Sequence, residues 1–130
     1  MKIGRSTGYG LLAIAHIAKN RGKNLVMSQD ISRQYDIPLE YLLKILQQLV
    51  RANLLKSKRG PNGGFALAKS PNKISLVQII EAVDGPMTAR ISIADQAHGA
   101  RLGVRADKLF ARALADARAV FEKAKLSTLL

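Results

Sequence analysis

The fold is decided by residues 28–68, which read SQDISRQYDIPLEYLLKILQQLVRANLLKSKRGPNGGFALA. A short helix is predicted over residues 28–35, where Asp30 in the first turn suits the positive end of the helix dipole. Residues 36–38 form a tight turn, and Pro38 stands at or beside the first position of a second helix. The apolar side chains of this second helix recur at helical spacing, at Leu42, Ile45, Leu46 and Leu49. Two short helices joined by so tight a turn indicate a helix-turn-helix.

A hairpin is predicted directly after the second helix. Two strand-like runs, residues 54–58 and 65–68, flank the segment Arg59-Gly60-Pro61-Asn62-Gly63-Gly64. Glycine, proline and asparagine are the residues that turns favour. A hairpin in this position is the wing of a winged helix-turn-helix. The expected fold class is therefore mainly α with a small β-hairpin wing.

Helices are also predicted on both sides of this unit. The first is capped by Ser6 or Thr7 and ends near residue 20. Another begins at Ser75, which forms a capping box with Gln78 three residues later. A Gly-Pro pair ends that helix, and with it the first domain, which we assign to residues 1–86.

The C-terminal part of the chain is expected to contain a long helix that begins at Asp107. Residues 87–106 show no clear period and are interpreted as loop or weak helix. Residues 107–130 are interpreted as a dimerisation helix and tail, because small and apolar side chains recur at alternating steps of three and four. These side chains are Phe110, Ala113, Ala117, Val120 and Ala124. The alternative, in which this stripe packs on its own domain, stays open.

The charge of the chain points to a polyanion as partner. The formal net charge is +12, from 21 basic and 9 acidic residues. Residues 1–73 carry thirteen basic and three acidic side chains, whereas residues 74–130 carry eight and six. A charge that only keeps a protein soluble would be spread evenly, so the uneven distribution favours binding of double-stranded DNA by the first domain.

Several classes of protein are disfavoured by what the sequence lacks. It contains no cysteine, which excludes disulfides and thiolate metal sites. No apolar run approaches the roughly 18 residues that span a bilayer, so we expect a cytoplasmic protein that does not enter the membrane. The two histidines, His16 and His98, lie far apart and have no nucleophile motif nearby. We therefore predict that the protein is not an enzyme.

The predicted elements place specific side chains where DNA would meet them. The second helix of the motif enters the major groove, and Glu40, Tyr41 and Lys44 fall on its outward side. Leu43 is also outward, which suits contact with a thymine methyl group. Arg59 begins a narrow, basic loop that fits the negative potential of a minor groove.

The order of these parts resembles the Rrf2 family of bacterial winged-helix regulators. The resemblance covers nearly the whole chain, and its most specific parts are Arg59-Gly60-Pro61-x-Gly63-Gly64-Phe65 and residues 79–86, IIEAVDGP. It implies a homodimer with crossed C-terminal helices that binds a palindromic operator and usually represses. By this resemblance, the residues expected to contact DNA are Ser28, Gln29, Leu39, Glu40, Tyr41, Lys44, Arg59, Gly60, Pro61, Asn62 and Gly63.

The sequence departs from the family at one position of chemical importance. Many members hold an iron–sulfur cluster with three cysteines before the long helix, and here the matching residues are Ser92, His98 and Val104. Serine and a lone imidazole are poor ligands for such a cluster. The expectation is a member without a cluster, a metal or another cofactor, controlled by a small effector, a protein partner or simple abundance. A winged-helix adaptor that binds a protein or RNA is the alternative.

Overall fold

Most of the chain is helical in the computed structural model, which describes residues 2–22 and 25–130. The mainly α fold with a β-hairpin wing is confirmed. A 3₁₀ turn, Pro71–Lys73, lies between the hairpin and the fourth helix. In chain order, the helices and strands are α1 (Arg5–Lys19), α2 (Ser28–Tyr35), α3 (Leu39–Arg51), β1 (Leu55–Lys58), β2 (Gly64–Leu67), α4 (Leu76–Asp84), α5 (Ile93–Gln96), α6 (Arg101–Lys123) and α7 (Leu126–Leu129).

The core lies where α1, α3 and α4 pack against one another. Ile14 of α1, Leu46 of α3 and Ile79 of α4 are all fully buried. The crossing of α1 and α4 is close at Gly10, because a Cβ atom there would lie 3.1 Å from Cγ2 of Val83. This core fixes the helix that carries the outward-facing residues of the helix-turn-helix.

The turn between α2 and α3 is held by a short hydrogen-bond network. Asp36 adopts a left-handed conformation with φ of 54°. The Ser32 hydroxyl donates to the carbonyl oxygen of Ile37 at 2.6 Å, and the Ile37 amide donates to the Ser32 carbonyl at 3.1 Å. Ile37 is also buried, so the angle between α2 and α3 is fixed both by these hydrogen bonds and by packing of the Ile37 side chain in the core.

The wing, residues 55–67, is anchored to the segment that precedes α2. Its strands pair antiparallel, with Leu55 opposite Leu67 and Lys58 opposite Gly64. Phe65 is buried, and its backbone exchanges two hydrogen bonds with Val26, at 2.8 and 3.0 Å. This bridge to Val26 adds a third backbone segment beside the hairpin. It was not predicted from the sequence.

The capping box at the start of α4 is confirmed. The Gln78 amide donates to the Ser75 hydroxyl at 3.2 Å, and the Ser75 amide donates to the Gln78 side-chain oxygen at 2.9 Å. The start of α1 differs from the prediction. Its cap is Gly4, without a side-chain hydrogen bond, and the helix begins at Arg5 rather than after Ser6 or Thr7. Thr7 instead donates from its hydroxyl to the carboxylate of Asp84.

The long helix begins earlier than predicted, at Arg101 instead of Asp107. Its first turn packs against α5, and Gly103 is the point of closest approach. The prediction of a loop or weak helix over residues 87–106 was therefore wrong for its last part. The sequence lacks a side-chain cap at this start, since Ala100 is the N-cap residue, and no local signal marks it.

The last member of the predicted dimerisation stripe, Ala124, lies beyond the helix. Its backbone is extended, and its carbonyl oxygen accepts a 2.8 Å hydrogen bond from the Leu76 amide. Two residues later, the Leu126 amide donates to the Ile74 carbonyl oxygen at 2.8 Å. This antiparallel pairing pulls the chain out of the helix, and it brings Leu126 into the core.

Across the described residues, no helix combines the length and the apolar character that crossing a membrane requires.

Gly103→Ala should destabilise the protein, because a Cβ atom there would lie 2.8 Å from both the Ala94 Cα atom and the Ile93 carbonyl oxygen. We expect a loss of about 1–3 kcal/mol in the free energy of unfolding, typical of overpacking. Urea unfolding at fixed protein concentration measures it. Gly8→Ala is the matched control, since it meets no atom within 4 Å and should be neutral or slightly stabilising. Equal stability of both variants would contradict the close α5–α6 contact.

Candidate nucleic-acid interface

Helix α3 presents one buried and one exposed face. Leu42 and Leu49 are fully buried, whereas Glu40, Leu43 and Lys44 are exposed, as the sequence predicted. Leu43 keeps 37% of its surface exposed. The exposed face is therefore available to a partner that accepts both polar and apolar contacts.

Tyr41 and Leu39 lie at the start of this face, and contacts with α1 restrict the Tyr41 side chain. The Tyr41 hydroxyl is hydrogen-bonded to the hydroxyl of Ser6 on α1. Its ring also meets the edge of Tyr9, with centroids 5.6 Å apart and planes at 84°. Tyr41 is thus held in place by α1, whereas Leu39 remains at the surface, 36% exposed.

The start of α2 offers backbone amides rather than a hydroxyl. Ser28 is buried, with 8% of its surface exposed, and its hydroxyl donates to the Gln29 side-chain oxygen at 3.3 Å. Gln29 is exposed. A phosphate at this helix end would therefore accept hydrogen bonds from Gln29 and the first-turn amides, because the Ser28 hydroxyl already donates to Gln29.

The loop of the wing is tight because of its glycines. The Gly63 amide donates to the Gly60 carbonyl oxygen at 2.9 Å, and Gly60 has a φ of 106°. A Cβ atom on Gly63 would collide with the carbonyl oxygen of Lys58. This geometry leaves Arg59 exposed at the edge of the hairpin, with Pro61 and Asn62 at its tip.

A cleft of about 300 Å³ brings these elements together. Its walls are the start of α2, the wing and, from α3, Gln47, whereas the predicted α3 residues Leu39, Glu40, Tyr41 and Lys44 do not line it. Among the residues that line it are Ser28, Gln29, Gln47, Lys58, Arg59, Gly60 and Gly63. Gln47 is exposed and was not predicted, although its spacing of three from Lys44 and four from Leu43 places it on the same helical face.

The wing and α3 carry most of the charge near this cleft. Lys44, Lys56, Lys58 and Arg59 are all exposed, and Glu40 is the acidic residue on the exposed side of α3. Of these cations, Lys58 and Arg59 line the cleft, and together they produce a positive local potential there. Such a potential favours a polyanion.

A carboxylate connects the first domain to the long helix. Glu81 of α4 accepts a 2.9 Å hydrogen bond from the Arg118 guanidinium of α6 and a 3.0 Å hydrogen bond from the Met87 amide. These two donors lower the pKa of Glu81 below its ordinary value, with Arg118 the larger cause. The Arg118 pKa is raised by the same contact. Glu81 thus joins α4, the segment after it and α6 at one point.

The face of α6 that points away from α4 is apolar and exposed. Of the predicted stripe, Phe110 is 45% and Val120 65% exposed, and Ala113 is also exposed. Ala117 is partly buried. Two further exposed leucines were not predicted, Leu102 with 77% and Leu109 with 63% of the surface exposed. The predicted helix began at Asp107, after Leu102, so the spacing of seven between the two leucines was not apparent.

The segment in which many family members hold a cluster is here bound by the carboxylate of Asp107. Asp107 accepts hydrogen bonds from the Ile93 amide at 2.8 Å, the Ala94 amide at 2.9 Å and the Ser92 hydroxyl at 3.3 Å. The amides of Ala94 and Ile93, followed by the Ser92 hydroxyl, lower the pKa of Asp107. The segment before α6 is therefore held by Asp107.

Comparison with known proteins shows which family the chain belongs to. A model of the Rrf2 family, described as an iron-dependent transcriptional regulator, matches residues 3–130. IscR of Cereibacter sphaeroides is 34% identical over 111 residues, which are 84% of this chain and 71% of that protein. BadM of Rhodopseudomonas palustris, named as a helix-turn-helix regulator, is 42% identical over 80 residues, or 62% of this chain. The chain spans about half the length of BadM.

Solved structures agree with this family. The structure of CymR from B. subtilis, described as the global cysteine regulator, superimposes with a TM-score of 0.81 at 26% identity. The match covers 99% of this chain and 95% of that one. BadM and IscR are named as transcriptional regulators.

The donor set of this chain does not fit the iron–sulfur cluster that the family implies. Ser92 already donates to Asp107 and accepts from the Asp95 amide. His98 is exposed in a left-handed conformation, and Val104 has no ligand atom. Among residues 2–22 and 25–130, no three His, Asp or Glu side chains converge in a way that could hold a metal ion. Without a thiolate, these positions lack the ligands that such clusters require.

Arg59→Ala should weaken binding of duplex DNA by about 1–3 kcal/mol and leave the fold intact, because Arg59 is exposed on the wing. Fluorescence anisotropy with a labelled duplex measures the affinity. Lys123→Ala, an exposed cation at the far end of α6, is the matched control and should change the affinity little. Equal losses for the two variants would remove the wing from the interface.

Asp107→Asn should loosen the segment before α6, because the amide side chain offers one acceptor oxygen where the carboxylate offers two. We expect faster hydrogen exchange at the Ile93 and Ala94 amides at neutral pH. In the unaltered protein, the pKa of Asp107 is lowered from its ordinary value of 3.8. The Ile93 and Ala94 amides should therefore still be protected at a pH equal to that ordinary value, and lose protection as the pH falls through the lower folded-state pKa of Asp107.

The matched control is Asp116→Asn, an exposed carboxylate elsewhere on α6. It should leave exchange at these amides unchanged. Unaltered protection in Asp107→Asn would show that the segment is held by other contacts.

Proposed function

Because the chain belongs to the Rrf2 family of winged-helix transcriptional regulators, we propose that it represses transcription by binding a palindromic operator as a homodimer, without an iron–sulfur cluster. The observation that carries this proposal is the cleft in which the start of α2, Gln47 on the exposed face of α3 and the cationic wing meet. These three elements contact a duplex in different places. Together they support a protein that recognises sequence as well as charge.

Helix α3 is the element that would enter the major groove, since its exposed side carries both polar and apolar groups. Lys44 can donate to guanine O6 and N7, and Glu40 can accept from cytosine N4. Leu43 supplies an apolar contact for a thymine methyl group. Glu40 also repels phosphates, so its contribution is discrimination between bases rather than affinity.

The wing and α2 would hold the protein on the sugar–phosphate backbone. Arg59 fits a narrow minor groove, where the negative potential is strongest. Gln29 and the free amides at the start of α2 suit a phosphate oxygen. The tight loop from Gly60 to Gly63, with Pro61 and Asn62 at its tip, is thin enough to approach a groove without a clash.

The exposed face of α6 supports a second copy of the chain as partner. Leu102, Leu109 and Val120 lie seven and eleven residues apart, which places them on one side of the helix. The opposite side is occupied by α4, to which Arg118 is bound. A row of exposed leucine and valine flanked by alanines matches the contact surface of a helix pair.

Leu109→Glu should convert the dimer to a monomer, because a carboxylate would be buried without a partner in the helix contact. A monomer reads one half-site, so the affinity for a palindromic operator should fall by at least tenfold, or about 1.4 kcal/mol. Light scattering measures the mass, and anisotropy measures the affinity. Ala111→Glu, exposed on another face of α6, is the matched control.

The operator itself comes from selection of genomic fragments by the unaltered protein. We expect fragments with two inverted half-sites, whose centres lie one helical turn or a multiple of it apart. Affinity should also fall steeply with salt, since phosphates are neutralised. Fragments without inverted symmetry, or a dimer that survives Leu109→Glu and Val120→Glu together, would contradict the proposal. Binding to RNA in preference to duplex would favour an adaptor.

A further inference from the structure

A second cleft lies on the side of the domain away from the wing. It has a volume of about 430 Å³ and lies between the N-terminal segment, the end of α4 and the middle of α6. We call it the linker cleft, because residues 85–90, which connect α4 to the segment before α5, form one wall. Its volume is within the range of small-molecule sites, roughly 300–1,000 Å³.

The interior of the linker cleft is largely apolar. Ile80 is buried beneath it, and Met87 and Leu114 are partly buried on two different walls. Ile3 borders the cleft with 55% of its surface exposed, which is high for an isoleucine beside an apolar hollow. A ligand with an apolar body would cover this surface.

The polar groups of the linker cleft are mainly cationic. Lys2 and Arg90 line it, and neither forms an ion pair within the part of the chain that the structure describes. The one carboxylate in the lining, that of Asp84, accepts a hydrogen bond from the Thr7 hydroxyl of α1 through one of its oxygens and remains negatively charged. With two cations and one carboxylate, the charged groups of the lining have a net positive charge.

From this combination we propose that the linker cleft binds a small organic acid with an apolar body. The carboxylate is held between Lys2 and Arg90, and the apolar body lies against Ile80, Met87 and Leu114. A guanidinium and a carboxylate form charge-assisted hydrogen bonds, which are about twice as strong as neutral ones. The apolar contacts alone would accept many compounds, so the two cations determine the class of ligand.

The position of the linker cleft connects it to the DNA-binding geometry. Met87 on its wall is also the residue whose amide is bound by Glu81, and Glu81 in turn holds Arg118 of α6. A ligand that touches both Met87 and Leu114 joins the linker to α6 directly. It thereby biases the placement of α6 on the first domain. This regulatory effect rests on the proposed function, whereas binding of the acid does not.

Binding is tested on the full chain by following backbone amide signals in an NMR titration without DNA. The probe is 3-phenylpropionate, and 3-phenylpropan-1-ol is its uncharged match. We expect the acid to shift the amides of Gly85, Met87 and Arg90, with an affinity at least tenfold above that of the alcohol. Arg90→Gln should remove about tenfold of the affinity for the acid and leave that for the alcohol unchanged.

The matched control is Arg112→Gln, an exposed arginine on α6 outside the cleft, which should not change binding. The proposal is overturned if the acid leaves the linker amides unshifted at millimolar concentration, if acid and alcohol bind equally, or if Arg112→Gln weakens binding as much as Arg90→Gln. None of these outcomes depends on DNA. A failure to bind an operator would therefore leave the ligand site intact, and a failure to bind the acid would leave the operator proposal intact.

Discussion

The candidate nucleic-acid interface, formed by α2, α3 and the wing, depends on the backbone pairing between Val26 and Phe65. Two hydrogen bonds of 2.8 and 3.0 Å join the wing to the residues that precede α2. Without them the hairpin would be held only by its side-chain packing and its own strand pairing, and two strands alone are marginally stable in water. Because the pairing brings the start of α2 next to the wing, Gln29, Gln47 and Arg59 line a single cleft. The side chain of Phe65, buried below, adds an apolar contact to the same joint.

The parts of the fold that were predictable are those with local signals. The turn before Pro38, the glycine-rich loop and the Ser75–Gln78 box each involve residues within a few positions of one another, and the structure has all three. The errors concern contacts between distant residues. The Val26 bridge has no sequence signature, and Ala124 leaves its helix because of pairing with the segment before α4. Gln47 and Leu109 lay at the correct spacing, but their exposure depends on which neighbours cover each helix.

Two carboxylates hold the segment between the first domain and the long helix. Glu81 binds the Met87 amide at its beginning, and Asp107 binds the Ile93 and Ala94 amides near its end. Both use hydrogen bonds to the backbone, so they order the chain whatever side chains surround it. Hydrogen bonding to Asp107 therefore holds this segment through groups of the chain itself.

The pairing of residues 74–76 with residues 124–126 has a mechanical consequence. It fastens the end of α6 to the start of α4, while Arg118 and Glu81 fasten the same helix about two turns earlier. Two separate attachments restrict the rotation of α6 on the first domain, so a change in the placement of α6 has to alter at least one of these contacts. In the proposed dimer without a ligand in the linker cleft, the two recognition helices would then keep one spacing along the double helix. Tolerance for an extra base pair between half-sites would have to come from bending of the DNA.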